Sequence, residues 1–247
     1  MTVSNNITII LAAGQGKRLQ PLTNNAPKCL IKVGNFPILH HQLRALEENG
    51  LKDIILVVGF MAEAVKKYAT LHFPRLNFNF IYNPNFETTN TLYSLALAAE
   101  QVNANETIFL LNGDVLFEPK ITKRLLKGED NKSFIAVQLK KCREEEVKIL
   151  LKADGSIALL NKKIPLKETI GEAIGINKFT FSFWNVLTKN LALLKNDFSL
   201  EYFEYAIEKT IGEGEKIFPF DIGELKAIEI DFPEDLKEAA RLMRPGA

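Results

Sequence analysis

Ile7-Thr-Ile-Ile-Leu-Ala-Ala-Gly-Gln-Gly-Lys-Arg18, followed by Pro27-Lys28, is the stretch from which the fold is read. A continuous apolar run closed by glycine predicts a buried parallel strand over Ile7–Ala12. Gly14 and Gly16 let backbone N–H groups approach phosphate oxygens, and Lys17, Arg18 and Lys28 supply matching charge. Arg18 is able to hold a phosphate with two parallel hydrogen bonds. A P-loop requires Gly-Lys-Ser/Thr, whereas Gly16-Lys17 is followed by Arg18. A dinucleotide fingerprint requires a third glycine where Leu19 stands. What remains is a polyanion site suited to a nucleoside triphosphate, or, as the plain alternative, a strand-to-helix turn with incidental basic residues.

Working outward, helices are predicted at Ile38–Asn49, Met61–Thr70 and Asn90–Val102, and strands at Asp53–Val58, Phe78–Tyr82 and Thr107–Leu111. This alternation predicts a mostly parallel sheet with helices on both faces. The second half is less regular. Strands are expected at Ser133–Leu139, Val147–Leu151, Ile157–Leu160, Glu172–Asn177 and Lys226–Ile230, with a hairpin turn at Asp154-Gly155. Helices are expected at Phe181–Leu194, Leu200–Ile211 and Pro233–Leu242. With no repeat or linker, the expectation is one domain over 1–247, its halves dividing near residue 117. In open α/β sheets ligands lie beyond the carboxyl ends of the strands, which gathers the Gly14 turn, Gly59-Phe60 and Asn112-Gly113-Asp114.

Lys and Arg total 31 against 30 Asp and Glu, a net charge of +1. No broad basic surface for nucleic acid follows, so any cationic site is local. Cys29 and Cys142 show no metal-type spacing, and a reducing, cytoplasmic setting is expected. Met1-Thr-Val-Ser-Asn-Asn6 lacks the basic region of a signal peptide, and the apolar run after it is too short to span a membrane. His40, His41 and His72 are read as structural, and no Ser–His–Asp or Cys–His set stands out.

Asp114 ends an apolar strand after Gly113, where a carboxylate suits a divalent cation bridging phosphates; capping of the next turn is the competing role. Asp231, before Pro233, reads the same way, with a helix N-cap as its alternative. Thr89, Asn90, Thr91 and Ser94 put donors and acceptors at a helix start. A cationic acceptor headgroup would want an aromatic box plus a carboxylate. Candidates are Tyr82, Phe86, Tyr93, Trp184, Tyr202 and Tyr205, with Glu172, Glu201 or Glu204.

The string Leu11-Ala-Ala-Gly-x-Gly-x-Arg-Leu-x-Pro-Leu-Thr23, then Pro27-Lys-x-Leu30 and Pro37-Ile-Leu39, resembles the signature of nucleotidyltransferases that join a nucleoside triphosphate to a sugar phosphate or phosphocholine. Tyr82-Asn-x-x-Phe86 with Asn90 and Ser94-Leu95 resembles the phosphocholine-type cytidylyltransferases. The resemblance implies a three-layer, Rossmann-like α/β fold with a mixed, mostly parallel sheet. It implies nucleotide contacts from Leu11, Ala12, Ala13, Gly14, Gly16, Lys17 and Gly113, with Arg18 at the leaving pyrophosphate and Lys28 at the reacting phosphates. Asp114 and Asp231 would hold Mg²⁺, and Glu172, Trp184, Tyr202 and Glu204 would face the acceptor. CTP and a small phosphorylated acceptor are the implied partners, with no nucleic acid and no membrane insertion, and a homodimer is compatible. A sugar-phosphate nucleotidyltransferase stays open on the same signature. A glycosyltransferase fits less well, because Asp114-Val115-Leu116 lacks Asp-x-Asp.

Overall fold

Both faces of the strand Asn6–Ala12 (β1) are buried: Ile9 and Leu11 enter one apolar core, Ile10 and Ala12 a second. Side chains alternate across a strand, so a continuous apolar run buries both faces only when layers cover each side. The same division holds for the parallel neighbours of β1, Asp53–Val58 and Thr107–Asn112. The structure is a computed structural model describing residues 6–102 and 107–242. The N-terminal stretch read as lacking a leader therefore lies, apart from Asn6, outside the described residues. No described helix is long and apolar enough to cross a membrane.

The remaining strands are β2 (Lys32–Val33), β3 (Phe36–Pro37), β4 (Asp53–Val58), β5 (Asn77–Tyr82), β6 (Thr107–Asn112), β7 (Val115–Phe117) and β8 (Ser133–Gln138). They continue with β9 (Lys148–Leu151), β10 (Ile157–Asn161), β11 (Glu172–Phe179), β12 (Ile217–Asp221) and β13 (Ala227–Glu229). The helices are α1 (Ile38–Glu48), α2 (Ala62–His72), α3 (Thr91–Ala99), α4 (Pro119–Leu126), α5 (Phe181–Leu194), α6 (Phe203–Gly212) and α7 (Pro233–Leu242). The main sheet runs β10-β9-β11-β6-β1-β4-β5, and β8 joins β11 to β12. The β6-β1-β4-β5 portion is parallel, while β11 runs antiparallel to β6, β8 and β9. Core residues from α3, α5 and α6 cover one face, and those from α1, α2 and α4 cover the other. This is the three-layer mixed α/β arrangement expected.

Four features go beyond the sequence reading. The β2–β3 pair and β7 are only two or three residues long, too short for a periodic pattern. Helix α4 starts with Pro119 in its first turn, a start signal that was available. Strand β12 contains Pro219 and pairs only with β8, as befits an edge strand. Helix α6 begins at Phe203, three residues later than Leu200.

Gln42 of α1 is buried and ties two layers together. Its Nε2 donates to the carbonyls of Asn112 at 2.7 Å and Val115 at 2.8 Å, on either side of the Gly113-Asp114 turn. Replacing Gln42 by Leu would leave both buried carbonyls without that donor. Urea unfolding of Gln42→Leu is expected to show a loss of about 2–4 kcal/mol, and an unchanged midpoint would remove Gln42 from this role.

Candidate active site

The turn after β1 is shaped around Lys28. Gly16 has φ +78°, and a Cβ there would lie 2.8 Å from the Lys28 Cβ. Thr23 is fully buried and its hydroxyl donates to the Gly16 carbonyl at 2.8 Å. Around Gly14, by contrast, a Cβ would meet no protein atom within 4 Å, which leaves that side of the turn open to a ligand. Gly113 closes the neighbouring strand end. Its N–H donates to the Leu11 carbonyl at 3.0 Å, and a Cβ would come within 2.5 Å of that oxygen.

Asp114 and Asp231 are far apart in sequence but meet through the antiparallel pair β7–β13, in which Glu229 lies opposite Val115. The Ile230 N–H donates to the Asp114 carbonyl at 3.0 Å. Leu19, Val33, Ile38, Leu116, Ile230 and Ala239 form a small apolar cluster under this junction. Lys28 Nζ lies 2.6 Å from Asp114 Oδ2 and 2.6 Å from Asp231 Oδ1. Arg18 Nη2 lies 2.9 Å from Asp231 Oδ2, and its guanidinium rests over Phe232 at 5.1 Å. Helix α7 does not need Asp231 as its cap. Asp235 accepts the N–H groups of Asp231 and Phe232 at 2.9 and 2.7 Å, leaving the Asp231 carboxylate to the cations.

Burial works to lower the Lys28 pKa, but the two aspartates prevail and hold it above its ordinary range. Burial likewise acts to raise Asp231, and Lys28 and Arg18 overcome it and hold that carboxyl low. Glu229 opens onto the cleft yet lies deep between its walls. Loss of surrounding water, then the Asp114 and Asp231 charges, push its pKa well up. Carboxylate oxygens of Asp114, Glu229 and Asp231 lie within 4.8 Å of one another. Asp114 Oδ1 is buried without a hydrogen-bond partner. A hard divalent cation with oxygen ligands fits this donor set.

These groups line one cleft of about 430 Å³. Of the residues singled out in the sequence, Leu11, Ala12, Gly14, Gly16, Lys17, Arg18, Lys28 and Gly113 line its glycine-turn side, with Asp114 and Asp231. Thr89, Asn90 and Thr91 also line it. Asn90 additionally caps α3, accepting the Thr91 N–H at 2.8 Å, and Thr91 Oγ1 accepts the Phe203 N–H at 3.1 Å. Tyr202 and Glu204 line the far end.

Four expected residues are not brought to the lining. Ala13 is buried, with its carbonyl accepting the Phe60 N–H. Ser94 is buried and accepts from Asn83 at 3.0 Å. Trp184 is a core residue of α5, 2% exposed and stacked near Phe179. It is buried because α5 carries its apolar face into the α3–α6 layer. Glu172 binds Lys140 Nζ at 2.6 Å, and Lys140 also contacts Glu146, so this carboxylate is engaged outside the cleft.

The sequence reading also missed Glu229 and Lys162, which line the cleft. Glu229 had a signal: in Ile228-Glu-Ile-Asp231 the period of two puts Glu229 and Asp231 on one face. Lys162, just beyond β10, had none. Its ammonium lies 5.2 Å from the Tyr202 ring centre. Glu204, second residue of α6, is 9% exposed, and its Oε2 has no hydrogen-bond partner. Burial pushes its carboxyl up to about 7.

Comparison with known proteins adds the following. Residues 8–162 match the MobA-like NTP transferase domain family. The chain is 30% identical over 250 residues to CMP-5'-(3-aminopropyl)phosphonate synthase of Streptomyces rubellomurinus, covering 94% of this chain and 38% of that protein. It is 39% identical over 117 residues to mannose-1-phosphate guanylyltransferase catalytic subunit beta of Drosophila pseudoobscura pseudoobscura, covering 47% of this chain and 32% of that protein. The chain thus spans under two fifths of the length of these relatives. The solved CTP:phosphocholine cytidylyltransferase of Streptococcus pneumoniae superposes with a TM-score of 0.78 at 20% identity, over 97% of this chain and 100% of that one. That likeness establishes the fold.

Glu204 makes the stability of the fold depend on pH. Its folded pKa of about 7 lies above the ordinary 4.5, so the folded protein binds the extra proton between those values. Stability therefore falls as pH rises through that window and levels off above it. Glu204→Gln is expected to stabilise the protein little at pH 4.5 and by up to about 3 kcal/mol at pH 8. Urea unfolding at both pH values checks this, and a pH-independent difference would contradict it.

Proposed function

The chain belongs to the MobA-like NTP transferase domain family, and on that premise we propose that it transfers CMP from CTP to a small phosphorylated acceptor and releases pyrophosphate. The observation that carries the reading is the cleft in which Lys28 joins Asp114 and Asp231 beside the open Gly14 turn. The name of the Streptomyces relative, a CMP-phosphonate synthase, supports CTP and an acceptor of the amino-alcohol phosphate or phosphonate kind. The block from Tyr82 to Leu95 supports the same base. Its Thr89, Asn90 and Thr91 line the cleft.

In this reading an acceptor phosphate or phosphonate oxygen attacks the α-phosphorus, and the bond to the bridging oxygen of the β-phosphate breaks. The nucleophile is already an anion near neutral pH, so no general base is needed. The work left to the protein is positioning and charge neutralisation. Lys28 supplies positive charge at the reacting phosphates, held by two carboxylates that fix its direction. Arg18, half exposed at the cleft edge, supplies a planar donor to the departing pyrophosphate. The open backbone at Gly14 receives the triphosphate without displacing a side chain. Asp114, Asp231 and Glu229 would hold Mg²⁺, which when bound would supply charge neutralisation at the phosphates.

The test is pyrophosphate release with Mg²⁺, crossing CTP, UTP, ATP, GTP and dTTP with amino-alcohol phosphates, 2-aminoethylphosphonate, sugar 1-phosphates and inositol phosphate. Release with CTP and an amino-alcohol phosphate or phosphonate is expected. Release only with a sugar phosphate or a purine nucleotide would replace this reading by a sugar nucleotidyltransferase. Lys28→Ala is expected to lower kcat by about 100-fold or more, with the circular dichroism of the fold retained. Asp114→Asn is expected to lower kcat and raise the Mg²⁺ concentration needed for half-maximal rate together. A wild-type Mg²⁺ response in that variant would leave Asp114 a structural role only.

A further inference from the structure

The far end of the cleft holds a carboxylate with no counter-charge in contact. Glu204 is nine-tenths buried, lines the cleft, and makes no ion pair among the described residues. Its Oε2 lacks even a hydrogen-bond donor. A buried polar group left unpaired is costly, and a donor arriving with a ligand recovers that cost. The missing partner is a group that brings N–H and positive charge.

The aromatic box that would hold a quaternary ammonium is not assembled. Of the aromatic candidates, only Phe86 and Tyr202 line the cleft. Phe86 packs toward Phe60 beside the Gly59 strand end. The Tyr202 ring is already covered by the Lys162 ammonium at 5.2 Å, which repels a second cation there. Tyr205 faces Phe198, Tyr93 is met by Lys195 and Asn85, and Trp184 is in the core. A trimethylammonium group has no N–H to offer Glu204 and finds no free ring face beside it.

We infer that the acceptor carries a primary ammonium group bound by hydrogen bonds to Glu204, and that a quaternary ammonium acceptor is rejected. The inference rests on the nucleotidyl-transfer reading above and narrows its acceptor. It gives the cleft opposite charges for opposite ends of a zwitterion. Lys162, whose charge reaches both Glu204 and Asp231, adds positive charge between the two ends, and Glu204 meets the amine through N–H bonds that a trimethylammonium group lacks.

The experiment is a methylation series at constant phosphate: phosphoethanolamine, its N-methyl and N,N-dimethyl forms, and phosphocholine. Each is assayed with CTP and Mg²⁺ for pyrophosphate release, with CTP binding followed separately by calorimetry. A site built to bond an N–H rejects an analogue that lacks it, so kcat/KM for phosphocholine is expected to fall at least about tenfold below phosphoethanolamine. Glu204→Gln is expected to raise the phosphoethanolamine KM by about tenfold and flatten the series, with CTP affinity within about twofold of wild type. A flat series, or one that rises toward phosphocholine, in the wild-type enzyme overturns the inference without any variant. Turnover of a sugar phosphate with none of the amines overturns it too, but leaves nucleotidyl transfer standing. Absence of CTP binding overturns both.

Discussion

The contact of Lys28 with Asp114 and Asp231 is the constraint around which the cleft is organised. It joins residues 86 and 203 positions apart in sequence, at 2.6 Å each. Each partner is delivered by a different part of the fold. Lys28 passes beneath a turn that only Gly16 leaves room for. The turn that carries Asp114 is held by Gln42 from the helix layer, through the Asn112 and Val115 carbonyls. Asp231 is brought in by the short β7–β13 pair and freed from capping by Asp235. A largely buried ammonium between two carboxylates is stabilising only while all three are present, because removing one leaves the others uncompensated. On the proposed reading the same balance would make the site responsive to ligands, since a triphosphate would offer Lys28 a competing set of anionic oxygens.

Several groups at this site are poorly satisfied by the protein alone. Asp114 Oδ1 and Glu204 Oε2 are buried without partners, and loss of surrounding water within the cleft, with the acidic neighbours, raises the Glu229 carboxyl. Each is a local cost in the ligand-free fold. Such costs concentrate where binding is meant to relieve them, and they link ligand binding to stability. The apolar cluster of Leu19, Val33, Ile38, Leu116, Ile230 and Ala239 lies next to the junction where the costs at Asp114 and Glu229 arise.

The parallel part of the fold is legible in the sequence because its strands are buried on both faces. Ile54 to Val58 and Ile108 to Leu111 read as unbroken apolar runs that end at glycine-marked turns. The loop residues are legible for the same reason, since strand ends in such sheets converge. Legibility fails where the pairing is short or non-local. Strands β7 and β13 have three residues each, so nothing in their composition says that they pair. Without that pair Glu229 reads as a solvated strand residue, although its spacing from Asp231 carried the information. Trp184 and Glu172 mislead in the opposite sense. Their residue types suit an acceptor site, but the α5 packing buries one and Lys140 claims the other.

The two ends of the cleft differ in how they are built, and this bears on how specificity arises. The glycine-turn end rests on the parallel strand ends and on backbone turns, which in the proposed reaction would bind what all nucleoside triphosphates share. The far end rests on side chains: Lys162 beyond an antiparallel strand, Tyr202 before α6, and Glu204 within its first turn. Side chains there are replaceable without disturbing the sheet, so the fold is able to keep one chemistry while changing acceptors. On the proposed reading the choice in this chain would be expressed in charge rather than in aromatic surface. A buried carboxylate with one oxygen left without a partner defines the end of the cleft more sharply than the ring beside it, because that ring already faces a lysine.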